Sequence, residues 1–162
     1  DSWMMSYFKD ELGIDIFFKP KKFQINSKKF FIGHGDGLGP GDYGYKFLKL
    51  IFRNSFFKFL YSCIHPDISI RIGEFLSRKN SVISGKEIKF ESNEKELLYN
   101  FCKKILKSDH YHYFVFGHRH IPLKINLGNN SLYYNCGDWF NHYSYLDFSN
   151  SELTLKFFKP EI

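Results

Sequence analysis

No alanine occurs anywhere in the 162 residues, and arginine is scarce, with four against nineteen lysines. Codons rich in G and C are therefore under-used, the mark of an AT-rich coding sequence. Part of the +6 net charge and of the pI near 9.1 is drift of this kind, so the basic balance says less than usual about an anionic partner. Cysteine is equally sparse. Cys63, Cys102 and Cys136 are an odd number without a CxxC spacing, which argues against a disulfide framework and fits a reducing compartment. No apolar run approaches the roughly 18 residues that span a bilayer, and no signal-peptide pattern opens the chain. The expectation is a soluble or peripheral protein, cytoplasmic in location. An initiator methionine is also missing: the sequence starts at Asp1, which reads as truncation of a longer chain.

Aromatic residues are abundant, with 20 Phe and 11 Tyr in a chain that is 43% hydrophobic. That suffices for one domain over residues 1–162 with a real core. Apolar residues at helical spacing (Trp3, Met4, Tyr7, Phe8, Leu12) predict a helix from Ser2 to Leu12, stopped by Gly13. Phe23 to Ile25 and Lys29 to Gly33 read as strands joined at Asn26-Ser27. Tyr43 to Ile64 predicts one basic, aromatic amphipathic helix, broken at His65-Pro66, and further helices are expected from Asp67 to about Arg78 and from Glu94 to Lys107. The rest is β, with runs at 113–116, 123–127, 132–135, 143–148 and 153–158. Gly128-Asn129-Asn130 and Ser149-Asn150-Ser151 supply turns.

Two places carry chemistry, and both are apolar strands that empty into glycine and histidine. The first is Phe30-Phe31-Ile32-Gly33-His34-Gly35-Asp36, the second Phe114-Val115-Phe116-Gly117-His118-Arg119-His120. A strand end presents side chains at a sheet edge, and glycine lets the backbone turn there. Histidines at i and i+2 on extended backbone share a side, so His118 and His120 are expected to reach one metal centre or two adjacent ones. His34, His118 and His120 are the candidate metal ligands. His65, His110, His112 and His142 read as ordinary surface or core histidines.

Gly-His-Gly-Asp after one strand and Gly-His-Arg-His after another resemble the last two motifs of the calcineurin-like metallophosphoesterases. The resemblance implies a four-layer αββα sandwich, an α/β (α+β) fold of which this chain supplies the C-terminal part. Three earlier motifs of that family, an Asp-x-His, a Gly-Asp-x-x-Asp and a Gly-Asn-His-Asp or Glu, are not complete here. Asp1 resembles the last residue of the third. An upstream segment is thus expected to hold a bridging aspartate, an asparagine ligand and the histidine that protonates the leaving group.

Within that superfamily, His34-Gly35-Asp36-Gly37-Leu38 with Asp42, Tyr43 and Tyr45, a long basic helical insertion at about 43–107, and Asn135-Cys136-Gly137-Asp138-Trp139 are similar to the UDP-2,3-diacylglucosamine hydrolases of lipid A synthesis. The resemblance implies two divalent ions, Mn²⁺ in that family, and hydrolysis of a pyrophosphate bond that releases UMP from a nucleotide-linked lipid. Asp36, Asp42, Tyr45, Arg53, Arg78 and Lys79 are the candidate substrate contacts. The insertion would serve as a helical cap that meets the inner-membrane surface, and no nucleic-acid partner is expected.

Other readings stay open. The basic helix could be an ordinary one with its apolar side on the core. The two Gly-His loops could serve a phosphoesterase of another substrate. The segment could also be a non-catalytic module that binds lipid or single-stranded nucleic acid through lysines and stacking aromatics.

Overall fold

The computed structural model describes residues 5–38, 50, 51, 54–84 and 96–159, and for residues 5, 6 and 76–84 the backbone alone. The chain forms two compact units, one from Asp1–Ile16 with Gly41–Lys89, the other from Phe17–Pro40 with Phe90–Ile162. The stretch 43–107 expected to form one cap is divided between them.

The second unit is a mixed α/β body. Its strands are β1 (Lys21–Ile25), β2 (Lys28–Ile32), β3 (Tyr113–Phe116), β4 (Pro122–Gly128), β5 (Ser131–Cys136), β6 (Ser144–Ser149) and β7 (Glu152–Phe157). Five of them make a sheet in the order β1-β2-β3-β5-β4, and β6 pairs with β7 alone. The central strands β2, β3 and β5 are parallel, flanked by antiparallel β1 and β4. All three hairpins turn through two consecutive non-glycine residues at positive φ: Asn26 and Ser27, Asn129 and Asn130, Asn150 and Ser151. These are the tight turns whose twist matches that of paired strands, and Asn tolerates the left-handed region better than most residues.

Side chains of the central strands alternate between two cores, as the pleat requires. On one face Phe31, Phe114, Phe116 and Tyr133 pack with Leu98 and Cys102 of the helix Leu97–Ile105. On the other, Phe30, Tyr113 and Tyr134 pack against Leu153 and half-buried Leu146, Phe148 and Leu155 of β6 and β7. This unit is therefore three layers, helix on sheet on hairpin. Phe31 touches four rings edge-on or tilted (Phe101, Tyr111, Phe114 and Phe116) at centroid distances of 5.4–6.2 Å. Such pairs contribute about 0.5–1.5 kcal/mol each beyond the area they bury. A chain without alanine fills its interior with rings.

The first unit is helical in its described part: α1 (Met5–Asp10), α2 (Ser55–Ser62) and α3 (Pro66–Ser84), which makes Leu97–Ile105 of the sheet unit α4. The helix expected from Tyr43 to Ile64 is not continuous. Asn54 lies in extended backbone, and its Oδ1 accepts from Phe56 N at 2.8 Å, so it starts a new helix as an N-cap. The periodicity of the apolar residues passes through Asn54 unchanged, which is why the sequence alone did not reveal the break. The third helix runs on to Ser84, beyond the expected end near Arg78. Tyr61 Oη donates to Ser69 O at 3.0 Å across the α2–α3 corner. No residue of α2 is buried, and Phe56, Phe59 and Phe75 are each about two-thirds exposed.

Candidate metal centre

Parallel strands place their carboxyl ends at one edge of a sheet, and in open α/β sheets that edge is where ligands bind. Here β2 leads into Gly33-His34, β3 into Gly117-His118, and β5 into Gly137-Asp138. Backbone hydrogen bonds extend the β2–β3 pairing past the strands: Gly33 N donates to Val115 O at 3.0 Å, and His34 O accepts from Gly117 N at 3.0 Å and His118 N at 2.9 Å. The two Gly-His loops are thus fastened together before any side chain contributes.

Glycine is required at the crossing. Gly35 has φ +107°, and a Cβ there would lie 3.1 Å from Leu98 Cδ1, 3.2 Å from His118 Cβ and 3.4 Å from Phe116 Cβ. With that close approach allowed, the two imidazoles meet. His118 Nδ1 faces His34 Nε2 at 3.4 Å, with ring centroids 5.2 Å apart and planes at 75°. The separation is long for an N–H···N bond. Two nitrogens held roughly 2.05 Å from one ion at the tetrahedral angle stand about 3.3 Å apart, so the pair has the spacing of two donors to a shared cation. His34 is exposed and His118 half-buried, leaving the pair open to solvent.

His120 does not extend the pair as an i, i+2 strand residue would. The backbone from Gly117 is a turn, closed by His120 N donating to Gly117 O at 3.3 Å, and His120 is exposed at φ +55°. The expectation of extended geometry from 118 to 120 is corrected by that turn. Among the described residues no group of three or more His, Cys, Asp or Glu side chains is arranged to hold a metal ion. The donor set that the structure brings together is therefore two imidazoles, which fit a borderline divalent cation as part of a larger set.

Asp36 is half-buried in the turn after Gly35. Asp42, Tyr45 and Arg53 lie outside the described residues, as does Asp1. Arg78 and Lys79 are on the backbone of α3, in its last two turns, with side chains outside the described set.

Sequence reasoning missed Glu96. It occupies the N-cap position of α4, yet its side chain makes no capping hydrogen bond. The carboxylate turns inward, 2% exposed, with Oε2 3.3 Å from Arg119 Nε in the histidine loop. Burying a charge costs several kcal/mol unless it is paired, and here the partner is the residue next to His118 in the chain. In the sequence Glu96 is one of three glutamates within six residues (Glu91, Glu94, Glu96), and nothing local separates it from its neighbours.

The third loop at this edge is stiff. Asn135 Oδ1 accepts from Gly137 N, and Ser144 Oγ donates to Cys136 O. Asp138 is held well below the usual carboxylate range by hydrogen bonds from the Asn141 backbone and side chain and from His142. The turn presents Trp139, packed against Tyr143, Tyr145 and Phe158.

The chain is 26% identical over 170 aligned residues to the UDP-2,3-diacylglucosamine hydrolase of Porphyromonas gingivalis (strain ATCC BAA-308 / W83), in an alignment that covers 96% of this chain and 64% of that protein. The chain thus spans less than two-thirds of the length of this curated relative. No family model matches it.

Proposed function

We propose that this chain contributes one part of a two-metal hydrolase centre acting on UDP-2,3-diacylglucosamine, in which water cleaves the pyrophosphate bond to give UMP and 2,3-diacylglucosamine 1-phosphate. The observation that carries the reading is the His34–His118 pair, two imidazole nitrogens 3.4 Å apart at the carboxyl edge of adjacent parallel strands. The distant relative with that activity in its name supports the same substrate class.

In this reading His34 and His118 hold the cations, with His120 joining from the exposed turn and the remaining donors coming from a segment outside this sequence. Divalent ions bound there, Mn²⁺ among them, would lower the pKa of a water and neutralise charge on the phosphoryl oxygens. The chain's own contribution is position. Fastened backbones at Gly33, His34, Gly117 and His118 hold the two loops side by side, and glycines at 35 and 117 permit that close approach. Asp36, Asp42, Tyr45, Arg53, Arg78 and Lys79 stay the candidate substrate contacts of this reading.

The acyl chains call for an apolar surface at a membrane. No helix among the described residues is long and apolar enough to cross one, but α2 and α3 expose Phe56, Phe59, Ile68, Ile70 and Phe75 beside Lys58 and Arg71. Apolar side chains with neighbouring cations suit a helix lying at an anionic interface, where each cation adds about 1 kcal/mol. The enzyme would be cytoplasmic and peripheral to the inner membrane.

The test is UMP release from the lipid nucleotide by the full-length protein, with Mn²⁺ and after chelation, alongside His34→Ala and His118→Ala. Metal-dependent UMP release that both variants abolish is the expected result. Turnover of simple aryl phosphates without UMP release would assign a phosphoesterase of another substrate. Liposome or oligonucleotide binding that survives both substitutions, in a protein that takes up no metal, would replace the enzyme with a binding module.

A further inference from the structure

Three buried side-chain atoms have no hydrogen-bond partner among the described residues, Glu96 Oε1, Tyr133 Oη and Asn135 Nδ2, and a fourth, Arg119 Nε, has its ion pair with Glu96 Oε2 in place of a hydrogen bond. They come from three separate segments, the start of α4, the loop after β3, and β5. Tyr133 and Asn135 are two residues apart on one face of β5, both fully buried. Burial, then the Glu96 carboxylate, push the Tyr133 phenol up, while Asn135 and Arg119 pull it down. The contact that geometry shows among these groups is the Glu96–Arg119 ion pair at 3.3 Å, with the carboxylate buried and the guanidinium half-buried. Unsatisfied buried polar atoms in a folded protein call for an explanation, and apolar side chains of similar size are generally no less stable than a buried ion pair.

Position supplies the explanation. Arg119 sits between His118 and His120, and Glu96 forgoes capping its own helix to reach it. On the other side, Gly35 holds the His34 loop against Leu98 and His118. We infer that Glu96 is a positioning residue that acts through Arg119: the buried pair fixes the Gly117–His120 turn so that His118 keeps facing His34, and it thereby sets metal affinity. The inference rests on the proposed metal centre. Groups that orient ligating histidines in this way typically change metal affinity by 10–100-fold when removed.

The experiment is Mn²⁺ titration of the full-length protein by calorimetry, with thermal melting and the visible spectrum of the Co²⁺-loaded form. Glu96→Leu, Arg119→Met and the double variant Glu96→Leu/Arg119→Met are compared with wild type. The expected result is a melting temperature lowered in Arg119→Met, where the Glu96 carboxylate is left without its cation, and unchanged or raised in the double variant, with Mn²⁺ affinity lower by about 10–100-fold in all three and an altered Co²⁺ spectrum that reports a displaced imidazole. Glu96→Gln, which keeps an acceptor for Arg119, should recover part of the affinity. If either apolar variant fails to fold, the other and Glu96→Gln decide. Affinity within twofold of wild type in a folded variant, or a lower melting temperature with affinity and spectrum unchanged, overturns the positioning role while leaving the metal centre intact. A wild-type protein that takes up no Mn²⁺ or Co²⁺ overturns both.

Discussion

Histidine pairs stand at both ends of the parallel strands, His34 and His118 after β2 and β3, and His110 and His112 before β3, and the two pairs do different work. At the carboxyl edge His34 and His118 turn ring nitrogens toward each other at 3.4 Å. At the amino edge His110 and His112 stand closer still, with centroids 4.9 Å apart, but their nitrogens serve the backbone. His110 Nε2 meets Asn129 O at 2.9 Å, and His112 Nδ1 accepts from Lys29 N at 3.0 Å. Those bonds tie the strand entrances to the β4–β5 turn and to β2, around a polar cavity of about 670 Å³ that also includes Lys28 and Asn126. Proximity of two imidazoles is thus a poor sign of a metal site. The direction of their nitrogens, and what else they bond, separates a donor pair from a pair of braces.

Substitution at the two edges should show the contrast at its largest in function. In the full-length protein, His34→Ala or His118→Ala is expected to lower hydrolysis and Mn²⁺ uptake by at least about 100-fold, because a ligand is lost outright. His110→Ala and His112→Ala should leave both within about threefold and cost at most about 1 kcal/mol of stability each for a lost hydrogen bond. Equal loss of metal uptake at both edges would erase the distinction.

Glycine substitutions sharpen the comparison through stability. Gly35→Ala is strained by φ +107° and meets Leu98, His118 and Phe116, so denaturant unfolding should show a loss of about 2–4 kcal/mol. Gly128→Ala at the opposite edge also has a positive φ of +82° but open space around it, and should lose only about 1 kcal/mol. A Gly35→Ala variant as stable as Gly128→Ala would show that the two loops are not in close contact.

The smallest expected effect is a pH dependence. Burial, then nearby Lys28 and His110, hold His112 below the ordinary histidine value. A group depressed on folding contributes its stability above the unfolded value and loses it as pH falls through the lower, folded one. Melting curves between about pH 7 and 5 should therefore show a decline that His112→Ala reduces. An unchanged slope would mean that other groups dominate that window.

Much of the secondary structure was legible because its signals are local. Asn26-Ser27, Asn129-Asn130 and Asn150-Ser151 announced their hairpins through residues that tolerate positive φ, and the observed strands lie within one or two residues of the alternating runs. Gly13 at φ +65° ends the first helix as expected. The interruption at Asn54 was less legible, since its capping bond competes with a helical periodicity that continues on both sides.

What the sequence by itself determined is the chemistry available at the sheet edge, with glycine next to histidine after two apolar strands, and a core rich in rings because Phe and Tyr are abundant in the strands. Tertiary structure decided which histidines meet. The pairing of β2 with β3 brings together residues 84 positions apart, while the turn at Gly117 takes His120 out of the extended geometry that its spacing from His118 suggested. Tertiary structure also recruited Glu96, whose burial against Arg119 depends on α4 packing over the sheet. Local rules act over a few residues, whereas convergence of side chains depends on strand order and close approach, which no short window of sequence contains.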